Sequence, residues 1–183
     1  MSEVRETYKV TVGGVTRRLP LFEVASGVRI AILNILGDVE LTRAAARALA
    51  EKLAPPAPEV LVTAEAKSIP LAYALAAEME LPYVVLRKDY KPYMGKVIKA
   101  ETQSITTGKT QTLYLDEKDH ALVGDKRVAL VDDVISTGST LKGMRMIMDQ
   151  AGANVVAQAA IFTEGDPDRW ADIIALGHLP VFI

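Results

Sequence analysis

The sequence predicts an α/β fold, a doubly wound and mostly parallel sheet with helices on both faces. Three observations predict it. Short apolar runs recur at residues 60–63, 83–86, 128–131 and 154–162, as strands buried on both faces of a parallel sheet do. Segments of helical spacing separate several of them. The run 128–131 then passes through two carboxylates, Asp132 and Asp133, and a small polar loop into a helical pattern. In such a sheet a ligand binds in the crevice at the C-terminal ends of the strands.

In chain order, residues 8–12 and 15–19 alternate around Gly13-Gly14, which reads as a two-residue β-hairpin. The apolar stretch 28–36 reads as a strand ending at Gly37-Asp38. Thr42 is expected to cap a helix running to about Leu53, with Ala45, Ala48, Leu49 and Leu53 facing inward. The prolines at 55, 56 and 58 stop it. A strand at 60–63, a helix at 69–79 and a strand at 83–86 follow. Residues 88–112 break this rhythm. They are polar, carry four lysines before residue 100, and read as a long excursion with a β-hairpin in its second half, the pattern of a flexible lid. Residues 110–115 are its returning strand and 116–125 a surface connection. The helix after Asp133 runs to Ala151 with Leu141, Met144, Ile147 and Met148 on one side, and Gly152 closes it. A strand at 154–162, a polar turn at 163–168, a short helix at 169–175 and a terminal strand at 180–183 complete the chain.

The composition fits one domain of 183 residues, half of them hydrophobic. A net charge of −2 gives no basic excess for nucleic acid or a membrane surface. The absence of cysteine removes disulfides, a thiol nucleophile and Cys-ligated zinc. The polar N-terminus and the lack of any apolar run near ~18 residues lead to the expectation of a soluble, cytoplasmic protein. His120 and His178 are too far apart for an i, i+4 metal pair and read as polar loop residues.

The loop Ser136, Thr137, Gly138, Ser139, Thr140 between strand and helix aims backbone N–H groups and the positive helix end at one point, where a phosphate fits. Gly138 allows close approach, and the hydroxyls add donors without bulk. Gly138 and Gly143 have the Walker spacing, but Met144 follows where Lys is needed. The acidic pair would repel a polyphosphate chain and suits vicinal hydroxyls. A ligand with a phosphate at one end and a ribose diol at the other fits both halves.

The run V-A-L-V-D-D-V-I-S-T-G-S-T resembles the phosphoribosyl pyrophosphate (PRPP) fingerprint of the type I phosphoribosyltransferases. The resemblance implies that Asp132 and Asp133 take the ribose 2′ and 3′ hydroxyls and that Ser136 through Thr140 take the 5′-phosphate. Glu65, Ala66, Lys67 and Ser68 resemble the pyrophosphate loop of adenine phosphoribosyltransferases, with Lys for Arg and Ser for Gly. In the family that loop often carries a non-proline cis peptide, and Ser68 in place of the easing glycine leaves its presence here open. Arg87 and Lys88 stand where family members place cations that reach pyrophosphate. The implied reaction transfers the phosphoribosyl group of PRPP to a nucleobase, with Mg²⁺ held mainly by PRPP oxygens. Ser136 stands where hypoxanthine-type members have an Asp, which favours a purine of the adenine type. Glu101 in the lid is the implied proton acceptor, Phe162 a stacking platform for the base, and Val181 in the tail a reader of its edge.

The resemblance also implies a homodimer with no nucleic-acid or membrane partner. It divides the single domain into a core at 25–175, a lid at 88–112, and a small hood from the N-terminal hairpin (1–24) and the C-terminal strand (176–183). Orotate or xanthine as acceptor remains open, Arg17-Arg18 being the feature that could hold the orotate carboxylate. So does a non-catalytic PRPP sensor, since Lys67 to Ala74 also resembles the effector domain of a purine-operon repressor. Such repressors carry a basic winged-helix domain ahead of this unit, and only about 25 residues precede it here.

Overall fold

The computed structural model describes residues 5–103 and 110–183. The first four residues of the expected hood and the tip of the expected lid, residues 104–109, lie outside that range. Strands β1 (Thr7–Val12) and β2 (Val15–Ala25) form the expected hairpin, pairing Val12 with Val15. Gly13 and Gly14 have φ of +54° and +82°, the left-handed backbone that a two-residue hairpin turn requires. A side chain at Gly13 would also collide with the Ala44 carbonyl, 2.8 Å from where a Cβ would lie, so this turn packs closely on the first helix.

Strand β3 (Val28–Ala31) pairs antiparallel with β2 and completes a three-stranded sheet. The expected strand to residue 36 therefore ends five residues early. The Asn34 side chain accepts from the Leu36 N–H at 3.1 Å, and Asp38 accepts from the Leu41 N–H at 3.1 Å. These local bonds turn the chain where a ladder would have continued. They also correct the cap. Asp38, not Thr42, caps helix α1 (Val39–Leu53), while Thr42 lies inside it with its hydroxyl donating to the Asp38 carbonyl at 2.7 Å.

The main sheet is all parallel, in the order β10-β9-β8-β4-β5. Its strands are β4 (Val60–Ala64), β5 (Tyr83–Leu86), β8 (Arg127–Ile135), β9 (Asn154–Glu164) and β10 (Ile174–Leu179). Counted along the chain this is the order 2-1-3-4-5, which reverses direction between β4 and β8. A doubly wound sheet opens its binding crevice at such a switch. Helices α1 and α2 (Ile69–Met79) cover one face, burying Leu49, Leu53, Leu71 and Leu75. Helix α4 (Ser139–Gln150) covers the other with Met144, Ile147 and Met148, the side its spacing predicts. Gly152 just beyond it has φ of +72°.

Two further expectations change. The excursion does contain a hairpin, β6 (Ile98–Gln103) paired with β7 (Thr110–Leu115), but its described part is anchored. Met94 is fully buried, Ala100 and Leu113 join the core under α4, and Arg87 bridges Tyr114. The connection after β7 holds a four-residue helix, α3 (His120–Val123). At the C-terminus no helix forms at 169–175. Pro167–Trp170 is a 3₁₀ turn that leads into β10, and the tail makes a single bridge between Phe182 and Arg29. The turn stops at Trp170, whose indole N–H donates to the Glu164 carbonyl at 2.9 Å. His178 is consequently a strand residue rather than a loop one. Among the described residues no helix is long and apolar enough to cross a membrane.

Candidate active site

An open cleft of about 320 Å³ lies at the switch point. Three segments following strands or within them build it: the loop after β4, the second half of β8, and the first turn of α4. Its lining includes Glu65, Ala66, Lys67, Ser68, Lys88, Asp132, Asp133, Ser136 and Thr140. A small adjoining hollow of about 40 Å³ is formed by Thr137, Gly138 and Ser139 together with Asp132, Ser136 and Thr140. The structure thus brings together every residue expected of the acidic pair, the phosphate loop and the loop 65–68.

Strand β8 runs on to Ile135, so the carboxylates are strand residues rather than strand-end ones. Consecutive strand residues point to opposite faces, yet one hydroxyl holds both. Ser68 Oγ lies 2.5 Å from Asp132 Oδ1 and 3.3 Å from Asp133 Oδ1, and it accepts from the Asp133 N–H at 3.1 Å. Ser68 occupies the N-cap position of α2 but makes no capping bond, because its hydroxyl is committed to the aspartates. Lys67 Nζ stands 3.3 Å from Asp133 Oδ2, an ion pair without hydrogen-bond alignment, since that oxygen is buried with no hydrogen-bond partner. The same ammonium donates to the Leu33 carbonyl at 3.3 Å. Burial pushes the Asp132 carboxyl up to about 7, and the neighbouring Asp133 charge adds to the rise. The Ser68 hydroxyl and the Asp133 N–H oppose it.

The phosphate loop has the form its sequence suggests. Gly138 has φ of +78° and, as the N-cap of α4, offers no side-chain cap; the Ser139 N–H makes a long bond to the Thr137 hydroxyl at 3.4 Å, and the next N–H groups of that turn face the loop. Trp170 packs so closely on Gly138 that a Cβ there would lie 2.8 Å from the indole. The loop after β4 contains a cis peptide between Glu65 and Ala66. Glu65 ion-pairs with the Arg87 guanidinium and accepts from the Lys88 N–H at 2.8 Å.

Four expected residues stand elsewhere. Arg87 is occupied by Glu65 and does not line the cleft, whereas Lys88 does. Glu101 is exposed on the outer face of β6, 3.7 Å from Lys99, and does not line the cleft. Phe162 is 3% exposed within the core. Its ring presses on Gly177 of β10, where a Cβ would come within 2.8 Å, so it is no stacking platform. Packing against β10 holds this ring in the core instead of the cleft. Val181 is exposed on the tail and outside the cleft lining. Arg17 is likewise engaged, by Asp38 at 2.7 and 2.9 Å and Glu40 at 2.8 Å.

Sequence reasoning missed the remaining walls: Ile30, Ala31, Ile32 and Leu33, with Val134 and Glu164. The apolar four looked like ordinary strand residues. Glu164 carried a signal, a carboxylate closing an apolar strand in the same way that Asp132 and Asp133 do.

Comparison with known proteins agrees with this geometry. The phosphoribosyl transferase domain family model matches residues 32–175. The chain is 29% identical over 142 residues to the purine biosynthesis transcriptional repressor PurR of Bacillus subtilis, covering 77% of this chain and 49% of that protein. It is 38% identical over 106 residues to the hypoxanthine/guanine phosphoribosyltransferase of Methanococcus voltae, covering 58% and 53%. It therefore spans about half the length of each of these curated relatives. Among solved structures, the adenine phosphoribosyltransferase of Thermoanaerobacter pseudethanolicus superposes with a TM-score of 0.69 at 18% identity, covering 94% of this chain and 95% of that one. This likeness is one of fold.

Proposed function

Because the chain belongs to the phosphoribosyl transferase domain family, we propose that it transfers the 5-phosphoribosyl group of PRPP to a purine base, adenine first, and releases pyrophosphate. One observation carries the reading. A single cleft holds an acidic pair, Asp133 buried and Asp132 partly so, between a hydroxyl-rich helix-start loop and a second loop bearing Lys67, with Lys88 beside it. That is an anion site, a diol site and a second anion site in series, the order of groups along PRPP.

In this reading the bond from ribose C1 to the pyrophosphate oxygen breaks, and that oxygen keeps the electron pair. A ring nitrogen of the base supplies the pair for the new C1–N bond and then passes its proton, through solvent, to the released pyrophosphate. The Ser136–Thr140 loop binds the 5′-phosphate through N–H and hydroxyl donors. Asp132 and Asp133 accept from the diol and oppose the positive charge that grows on the ribose ring. Lys67 and Lys88 face the charge that grows on pyrophosphate, and Lys67 must leave Asp133 to do so.

Mg²⁺ fits as an ion carried by the ligand. No group of three or more potential ligand side chains clusters to hold one among the described residues, while Asp133 Oδ2, which faces the Lys67 ammonium without a hydrogen bond, is a hard oxygen of the kind Mg²⁺ takes. Asp132 and Asp133 would hold it from the diol side, and the bound ion supplies positive charge for the departing pyrophosphate. A cytoplasmic homodimer belongs to the same reading, on the resemblance of its motifs alone.

Orotate fits less well, since its carboxylate would meet the Glu164 carboxyl while Arg17 is taken by Asp38 and Glu40. A second reading has its own support. The likeness to PurR covers 77% of this chain, so the domain would sense PRPP without turning it over. Isothermal titration with PRPP–Mg²⁺ tests what both readings share. The variant carrying Asp132→Asn and Asp133→Asn should bind at least tenfold more weakly, about 1–2 kcal/mol for each charge-assisted bond reduced to a neutral one. Unchanged affinity would remove the ribose assignment.

A further inference from the structure

Once the two loops, Lys88 and the acidic pair are assigned, the cleft's remaining walls are apolar, residues 30–33 with Ala64 and Val134, apart from one charged residue, Glu164. An apolar wall takes the faces of a flat ring, which leaves the carboxyl for the ring's polar edge. Among the described residues the Glu164 carboxyl has neither an ion-pair nor a hydrogen-bond partner, although its backbone is held from several sides. The indole N–H of Trp170 donates to its carbonyl at 2.9 Å. His178 clamps both of its neighbours, with Nδ1 3.0 Å from the Thr163 hydroxyl and Nε2 2.9 Å from the Gly165 carbonyl. A carbonyl can only accept, so Nε2 donates to Gly165. Gly165 also donates to the Leu179 carbonyl at 3.2 Å. A half-buried carboxyl on a backbone held this firmly, with its oxygens uncommitted, is available as an acceptor at a fixed place in the wall.

We propose that Glu164 is the specificity residue of the base pocket and that its carboxyl accepts from the exocyclic amino group of a 6-aminopurine. The assignment rests on the phosphoribosyl-transfer reading and deepens it. A phosphate is excluded from this wall by like charge. A 6-oxopurine would set its carbonyl oxygen against the carboxylate, an acceptor facing an acceptor. Burial raises the Glu164 carboxyl above its ordinary range, and the nearby His178 limits the rise. In both protonation states one oxygen remains able to accept an amino N–H. A site built to receive such a donor discriminates strongly against the analogue that lacks it.

The test is equilibrium binding of the product nucleotides, which needs no turnover. Adenosine 5′-monophosphate and inosine 5′-monophosphate are titrated calorimetrically into the full chain, its Glu164→Ala variant and the isosteric Glu164→Gln variant, alongside PRPP–Mg²⁺. The wild type should prefer the 6-amino nucleotide by about tenfold or more. Glu164→Ala should bring the ratio within about twofold of unity while PRPP affinity stays within twofold. Glu164→Gln, which keeps a carbonyl acceptor, should retain most of the preference and stands in if the Ala variant does not fold. Equal or tighter binding of the 6-oxo nucleotide by the wild type overturns the assignment. So does an unchanged ratio in Glu164→Ala, or binding of neither nucleotide. If the wild type fails to bind PRPP, the transferase reading falls as well. If PRPP binds and the ratio does not respond, only the Glu164 assignment falls.

Discussion

Asp132 carries a proton that ordinary carboxylates release near pH 4, because burial and the adjacent Asp133 raise it to about 7. Between those values the folded protein binds more protons than the unfolded chain, so stability contributed at low pH is lost as pH rises through about 7. Asp132→Asn removes that ionisation and should be more stable than the wild type at pH 8 by roughly 1–3 kcal/mol, with little difference at pH 4. Thermal unfolding at the two pH values checks this, and a lower midpoint for the variant at pH 8 would contradict it. The same proton should make PRPP affinity rise with pH through about 7. Ser68→Ala removes the hydroxyl that favours the charged form, so its affinity profile should move to higher pH, with weaker binding at pH 7. A profile that keeps its midpoint would show that Ser68 does not support the pair. At this scale much of the site was legible, since strand, carboxylates and small polar loop are contiguous. Ser68's partnership with Asp132 and Asp133 was not, because 64 and 65 residues separate them and only the β4–β8 pairing brings them together. The placement of Phe162 was not legible either: its ring packs on Gly177 of the neighbouring strand, while Glu164, two residues further on, lines the cleft.

The β6–β7 hairpin carries a buried face that its composition did not announce. Its lysines and polar residues suggested a flexible lid over 88–112. Alternation along β6 instead places Ala100 and Thr102 inward, at 4% and 7% exposure, and leaves Lys99 and Glu101 outside. The backbone amides paired between β6 and β7 should therefore exchange slowly without ligand. Fast exchange throughout 98–103 and 110–115 would restore the lid. Met94, fully buried although it lies in a lysine-rich stretch, should cost about 2–5 kcal/mol when replaced by Ala. A change below ~0.5 kcal/mol in denaturant unfolding would show that this segment is not anchored. Two element boundaries failed for local reasons as well. Asn34 and Asp38 bond their own backbone and end β3 early, and the Trp170 indole closes a turn where a helix was expected.

The whole molecule places its chemistry by topology. The order 2-1-3-4-5 puts the reversal between β4 and β8, so the loop after β4 and the acidic residues of β8 share one cleft although Ser68 and Asp132 are 64 positions apart. The three-stranded sheet and the tail meet through the Arg29–Phe182 bridge and the Tyr8–Phe182 ring contact at 5.3 Å. The stretch after β3 then brings Ile32 and Leu33 to the cleft. The alternation of strands and helices made the parallel sheet readable in advance. The base-side wall was not readable, because residues 30–33 reach the cleft only through the pairing of β3 with β2 and the turn that follows it. The most direct measurement of the central claim is pyrophosphate release from PRPP–Mg²⁺ with adenine, hypoxanthine, guanine, xanthine and orotate assayed side by side. Release with purines, fastest with adenine, is the predicted result. Release with orotate alone, or PRPP binding with no release for any base, would contradict it.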